Sequence, residues 1–149
     1  MKITKSIEIK KPSQEVFDYL KYTRNQDNFS VWNMNDPDMQ KFYTGNDGEV
    51  GFIYRWESQV KNVGAGEQET TAINPGKQID TNVRFFRPMK NVANISFLVE
   101  DAGNDVSRVT WFFDSPSRFP FNLLAPLFKN MLGKDLVKGL ENLKVILEK

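Results

Sequence analysis

Apolar and polar positions alternate from the start of the chain. Ile3, Ile7 and Ile9 oppose Thr4, Ser6, Glu8 and Lys10, the period-two pattern of a half-buried strand over 3–10. Pro12 stops it, and Val16, Phe17 and Leu20 recur at helical spacing, which predicts a short helix reaching residue 22. The polar run 25–32 closes on Phe29, Val31 and Trp32. It predicts a second short helix, followed by a loop over 33–38 rich in Asn, Asp and Pro. From 39 to 114 the period of two returns in six segments, separated by clusters of Gly, Pro, Asn and Asp, which predicts an antiparallel meander. The first, 39–43, ends at Gly45-Asn46-Asp47-Gly48, and the second, 51–60, sets Phe52, Tyr54 and Trp56 against Ile53, Arg55, Glu57 and Gln59. The third turns Gly66, Gln68, Thr70 and Ala72 inward, and the fourth Ile79, Thr81, Val83 and Phe85. The fifth turns Ala93, Ile95, Phe97 and Val99 inward, and the sixth Val109, Trp111 and Phe113. Beyond them Leu124, Phe128, Met131, Leu132, Leu136, Leu140, Leu143 and Leu147 share one helical face. A helix over 126–148 would run roughly 30 Å at 1.5 Å per residue, enough to cross a sheet.

Seven strands with one apolar face and a single long helix to cover it predict a strongly curved sheet wrapped around that helix. Large flat rings sit beside small side chains on the inner face, and the mixture predicts a cavity where the small ones cluster. Its expected walls are Trp32, Tyr54, Trp56, Gln68, Thr70, Thr81, Val83, Phe85, Phe97, Trp111 and Phe113, with Leu124, Phe128 and Met131 from the long helix. A flat ring offers contact area, and a phenol hydroxyl or indole N–H adds one oriented hydrogen bond. Gln68, Thr70 and Thr81 are the neutral partners that such polar tips need when buried. Gly133 and Gly139 each cost about 1 kcal/mol against Ala inside a helix, which a close approach to sheet or ligand would offset; a helix that simply tolerates both glycines is the safer reading.

Composition narrows the chemistry. A chain of 149 residues, 40% hydrophobic and 26% charged, predicts one folded domain over 1–149 and excludes a mainly disordered one. Lys and Arg number 20 against 19 acidic residues, with no block of like charge, so no footprint for nucleic acid or an anionic bilayer is read. Cys and His are both absent, which removes disulfides, thiolate and His-assisted nucleophiles and the commonest metal ligands. No metal and no cofactor is expected, and any catalysis would fall to Asp, Glu, Lys, Tyr or Arg. Without an apolar leader, or an uncharged run of the roughly 18 residues a span needs, the chain reads as cytoplasmic and without stable membrane insertion. Arg55 with Glu57, and Glu67 with Glu69, point outward by alternation and read as solvated ion pairs. The glycine-rich turns lack the strand-to-helix setting of a phosphate loop.

The order β-α-α-β6-α is carried by Ile7-Glu8-Ile9-Lys10-Lys11-Pro12-Ser13-Gln14-Glu15-Val16-Phe17-Asp18-Tyr19-Leu20, by Trp32, and by Gly48-Glu49-Val50-Gly51-Phe52-Ile53-Tyr54. Val63-Gly64-Ala65-Gly66-Glu67-Gln68, Pro75, Ser107-Arg108-Val109-Thr110-Trp111 and Gly139-Leu140-Glu141-Asn142-Leu143-Lys144 continue it. In this the chain resembles the START-related, pollen-allergen-like helix-grip superfamily (SRPBCC; polyketide cyclase/dehydrase and lipid transport). The resemblance implies an α+β helix-grip fold, a curved seven-stranded antiparallel sheet around a long C-terminal helix, with two short helices between strands 1 and 2. It implies three kinds of function on one scaffold. The first is a carrier or sensor holding an apolar or amphipathic small molecule, such as a lipid, polyketide or aromatic metabolite, between helix and sheet. The second is a cyclase or dehydratase in the same cavity, with Tyr54 as acid or orienting group; against it, the inner face carries no carboxylate, and inward Lys5 and Arg87 are placed at strand ends. The third is a co-chaperone-like interaction module, or a homodimer contact, through Phe119-Pro120-Phe121-Asn122-Leu123-Leu124. No residue is assigned a catalytic role, and lack of His and Cys separates the chain from Rieske-linked or metal-dependent members.

Overall fold

Alternation in the meander translates directly into strands in the computed structural model, which describes residues 1–116 and 125–149. In chain order the elements are β1 (Lys2–Ile9), α1 (Ser13–Leu20), a 3₁₀ helix (Thr23–Asn28), α2 (Val31–Met34), β2 (Gln40–Thr44), β3 (Ile53–Glu57) and β4 (Ala65–Asn74). Then come β5 (Gln78–Arg87), β6 (Asn91–Asp101), β7 (Ser107–Asp114) and α3 (Ala125–Leu147). One antiparallel sheet runs β1-β7-β6-β5-β4-β3-β2, so the first strand returns beside the last and leaves β1 and β2 as the edges. This is the curved seven-stranded helix-grip arrangement.

The core divides in two. Leu136, Leu140 and Leu143 of α3 pack with Ile3, Ile9, Phe97, Val109 and Trp111 of the sheet, with Phe29, and with Val16, Phe17 and Leu20 of α1. A second cluster joins Met39, Phe52, Tyr54, Trp56, Val63, Val83 and Ala93. Half-buried Ile95 and Phe113 pack against both and form the seam between them.

Four expectations change. The helix over 25–32 divides into the 3₁₀ helix and α2, with Ser30 between them in an extended conformation. Ala72 points outward: the β4–β5 register jumps between Thr70 and Ala72, a bulge that reverses the alternation and delivers Ile73 to the core opposite Ile79. Gly66 leaves no space of its own, because a Cβ there would lie 2.6 Å from Cη2 of Trp56; the indole occupies the room. Lys5 sits within β1 and not at its end, while Arg87 does end β5. The segment 119–124, Leu124 included, lies outside the described residues. Among the described residues, no helix is long and apolar enough to cross a membrane.

Candidate functional site

Antiparallel register sets the inner side chains in rows across the sheet. One row runs Tyr43, Tyr54, Gln68, Val83, Ala93. A second runs Lys41, Trp56, Gly66, Phe85. A third runs Thr70, Thr81, Ile95, Phe113, Ile3, and a fourth Ile79, Phe97, Trp111, Lys5. Tyr54, Trp56, Gln68, Thr70, Thr81, Val83, Phe97 and Trp111 are all buried, Tyr54, Trp56 and Val83 in the second cluster and Phe97 and Trp111 against α3 in the first. Trp32, Phe85 and Phe113 are half-buried beside them. Phe128 and Met131 are not brought in. They lie on the open side of α3, 41% and 55% exposed, because the buried stripe of that helix begins further along, at Leu132 and Leu136.

The neutral polar groups mostly satisfy one another. Gln68 Nε2 donates to Thr81 Oγ1 at 2.9 Å, and Thr81 Oγ1 donates to the Ile95 carbonyl at 3.2 Å. The Thr23 and Thr70 hydroxyls meet at 3.4 Å. Trp56 Nε1 donates to the Val63 carbonyl at 3.2 Å. The other two tryptophans differ: the buried N–H groups of Trp32 and Trp111 have no acceptor among the described residues. Trp32 stands edge-on to Phe85 at 5.9 Å, and Trp111 stacks on Phe97 at 4.7 Å. The benzo ring of Trp111 presses on Gly139, where a Cβ would come within 2.8 Å, so that glycine serves a close approach and is not merely tolerated. At Gly133 the neighbour is Lys5, whose Cε lies 3.2 Å from the Cβ position.

A charged cluster adjoins the phenol of Tyr54, and the sequence reading missed most of it. Tyr54 Oη donates to Asp27 Oδ1 at 2.6 Å, Asn33 Nδ2 donates to the same oxygen at 3.0 Å, and Lys41 Nζ pairs with Oδ2 at 2.9 Å. Burial, and after it the Asp27 acceptor bond and charge, push the Tyr54 phenol well above its usual value. The protonated phenol is thus held as a donor aimed at the carboxylate. No inner strand position carries a carboxylate, as read from sequence, yet Asp27 enters from the 3₁₀ helix. Lys41 was detectable, since it shares the inward parity of Tyr43 on β2. Asp27 was not, because the run 25–32 has no periodicity that marks one residue as inward. Asp27 also lines a surface recess of about 500 Å³ with Tyr22, Arg24, Asn25, Asn28 and Asp47, so the cluster joins the interior to solvent. The outward pairs behave as expected of ion pairs: Arg55 with Glu57 at 2.6 Å, and Arg84 with Glu67 and Glu69 at 2.9 Å each. Among the described residues, no group of three His, Cys, Asp or Glu is placed to hold a metal ion.

The family model for polyketide cyclase / dehydrase and lipid transport matches residues 1–148. Norcoclaurine synthase from Thalictrum flavum, solved in complex with dopamine and hydroxybenzaldehyde, superposes with a TM-score of 0.73 at 11% identity, over 99% of this chain and 87% of that one. The Aha1 dimer from Colwellia psychrerythraea gives 0.65 at 18% identity, over 99% and 96%. A protein from Mesorhizobium loti gives 0.70 at 12%, over 99% and 96%. At such identities the likeness to these structures is one of fold. No curated protein matches the chain. A family model that runs almost from end to end, on a sheet that grips its last helix, places this chain in the polyketide cyclase/dehydrase and lipid transport family.

Proposed function

We propose that the chain binds an apolar or amphipathic small molecule between α3 and the curved sheet, as a carrier or sensor. The observation that carries this reading is the pair of buried indole N–H groups, on Trp32 and Trp111, without an acceptor among the described residues. A buried donor left unpaired costs about 1–3 kcal/mol. In a core where Gln68, Thr81, Trp56 and Tyr54 all have partners, two exceptions on the aromatic face are places for a ligand acceptor. The ligand class follows: a molecule with flat or aliphatic surface for Trp32, Phe85, Ile95 and Phe113, carrying a carbonyl, ether or hydroxyl oxygen. The family description includes lipid transport, and norcoclaurine synthase is solved with two small aromatic molecules; both fit this class.

The test replaces Trp32 or Trp111 by Phe, which keeps a ring and removes the donor. Native mass spectrometry of protein purified from its own host identifies the ligand, and titration compares affinities. Each variant is expected to bind about 5- to 20-fold more weakly, the worth of one hydrogen bond, while the ligand-free protein loses the packing of the larger ring and is relieved of the unpaired donor. Unchanged affinity in both variants would contradict the reading. A second reading, catalysis in the same interior, is favoured by the Tyr54–Asp27–Lys41 cluster. There Asp27 would accept a proton while Tyr54 orients the substrate. It requires that the captured molecule be turned over, and that Asp27→Asn abolish turnover without abolishing capture.

A further inference from the structure

Lysines scattered along the chain converge on one groove. Between the outer edge of β1 and α3 from Pro126 to Glu141 lies a recess of about 950 Å³; its lining among the described residues includes Lys2, Lys5, Lys129, Lys134 and Lys138, with Glu141 the only acidic one. Among the described residues, none of these five ammonium groups forms an ion pair. A chain whose formal net charge is only +1 thus concentrates positive charge at one end of one strand.

The backbone of that strand is open at the same place. Met1 and Ser115 exchange both of their backbone bonds, at 2.6 and 2.9 Å. Given the register Ile3 to Phe113 and Lys5 to Trp111, the odd residues of β1 bond to β7. The even ones direct N–H and C=O away from the sheet. Further along, α3 satisfies this edge: Lys144 Nζ donates to the Glu8 carbonyl at 2.7 Å, and the Lys10 N–H donates to Glu148 at 2.8 Å. Among the described residues, Lys2, Thr4 and Ser6 have no such cover. Gly133 helps to keep the groove open, since the Lys5 side chain passes where a larger side chain would stand.

We infer that this edge receives an extended acidic segment of a partner protein, added as a strand beside β1 with its carboxylates among the five lysines. Charge complementarity supplies the attraction, and the edge decides the class of partner. A phosphate group accepts from N–H groups but gives nothing to the carbonyls of Lys2, Thr4 and Ser6, and the donors of a lipid headgroup or a ribose do not repeat at the spacing of a strand. An added strand pairs both.

The experiment uses the full chain and a short fluorescent peptide of alternating Glu and Val, with a copy N-methylated at alternate residues and phosphatidylglycerol vesicles as competitors. The plain peptide is expected to bind and to protect the Thr4 amide from hydrogen exchange. Lys134→Glu with Lys138→Glu is expected to weaken binding at least about tenfold. Thr4→Pro, tolerated at an edge, and N-methylation are each expected to abolish it; if Thr4→Pro fails to fold, the N-methylated peptide still decides. Failure to bind at millimolar peptide, equal binding of the N-methylated copy, or capture by vesicles in preference to peptide would each overturn the proposal.

Discussion

Two glycines on one helix show how a single side chain's neighbour fixes the sign of a substitution. Gly139 faces the rigid ring of Trp111, itself stacked on Phe97, and the Phe29 carbonyl lies 3.4 Å from its Cβ position. Gly139→Ala gains about 1 kcal/mol of helix propensity, but the forced displacement of the packed rings outweighs it. A net loss of about 1–3 kcal/mol in urea denaturation is expected. Gly133 meets only the flexible end of Lys5, so Gly133→Ala is expected to stabilise by up to about 1 kcal/mol. Tyr54 gives a pH test. Its phenol is held above the usual value of 10.0, so beyond pH 10 the folded state keeps a proton that the unfolded state releases. Stability then falls as pH rises, by about 1.4 kcal/mol per pH unit from this group. Tyr54→Phe lacks this contribution, so the stability gap between wild type and variant should narrow above pH 10; a constant gap would count against a phenol held protonated by burial and by its bond to Asp27. At this scale the sequence showed that Tyr54 was inward, and it raised a close approach at the two glycines only as the alternative to a helix that tolerates them. It could not show Asp27, because a 3₁₀ segment has no reliable inward face to read.

On the scale of elements, periodicity served well where an element is regular. The β5 bounds, the seven strands and the long helix all follow from runs of alternating or three-and-four spacing. It failed at the Thr70–Ala72 bulge, where one extra residue changes which side chains face inward without altering the pattern's appearance. It also overextended the buried stripe of α3. Spacing groups Phe128 and Met131 with Leu136 and Leu140, but a helix longer than the sheet surface it crosses leaves one end in solvent. The halves of α3 should respond differently. Leu140→Ala, at a fully buried position of the main cluster, is expected to cost about 2–5 kcal/mol. Met131→Ala is expected to cost less than about 0.5 kcal/mol. Equal costs in thermal denaturation would mean that the whole helix is gripped.

For the molecule as a whole, the fold was legible because one apolar sheet face and one long amphipathic helix admit few arrangements. The site was less so, since the order of elements says where a ligand could lie but not which polar groups stay unpaired. Charge shows the same limit. A balanced count of 20 against 19 suggested no charged surface, whereas the sheet edge and α3 bring Lys2, Lys5, Lys129, Lys134 and Lys138 together. Only the folded chain separates Trp56, whose N–H meets the Val63 carbonyl, from Trp32 and Trp111, whose N–H groups meet nothing among the described residues. That distinction supports the binding account, and one measurement bears on it most directly: native mass spectrometry of the wild-type chain and Trp111→Phe, each freshly purified from the source cells. The account predicts a stoichiometric apolar molecule bearing an oxygen acceptor on the wild type, and substantially less of it on the variant. A wild-type chain that carries no such molecule and takes up no apolar fluorescent probe would contradict it.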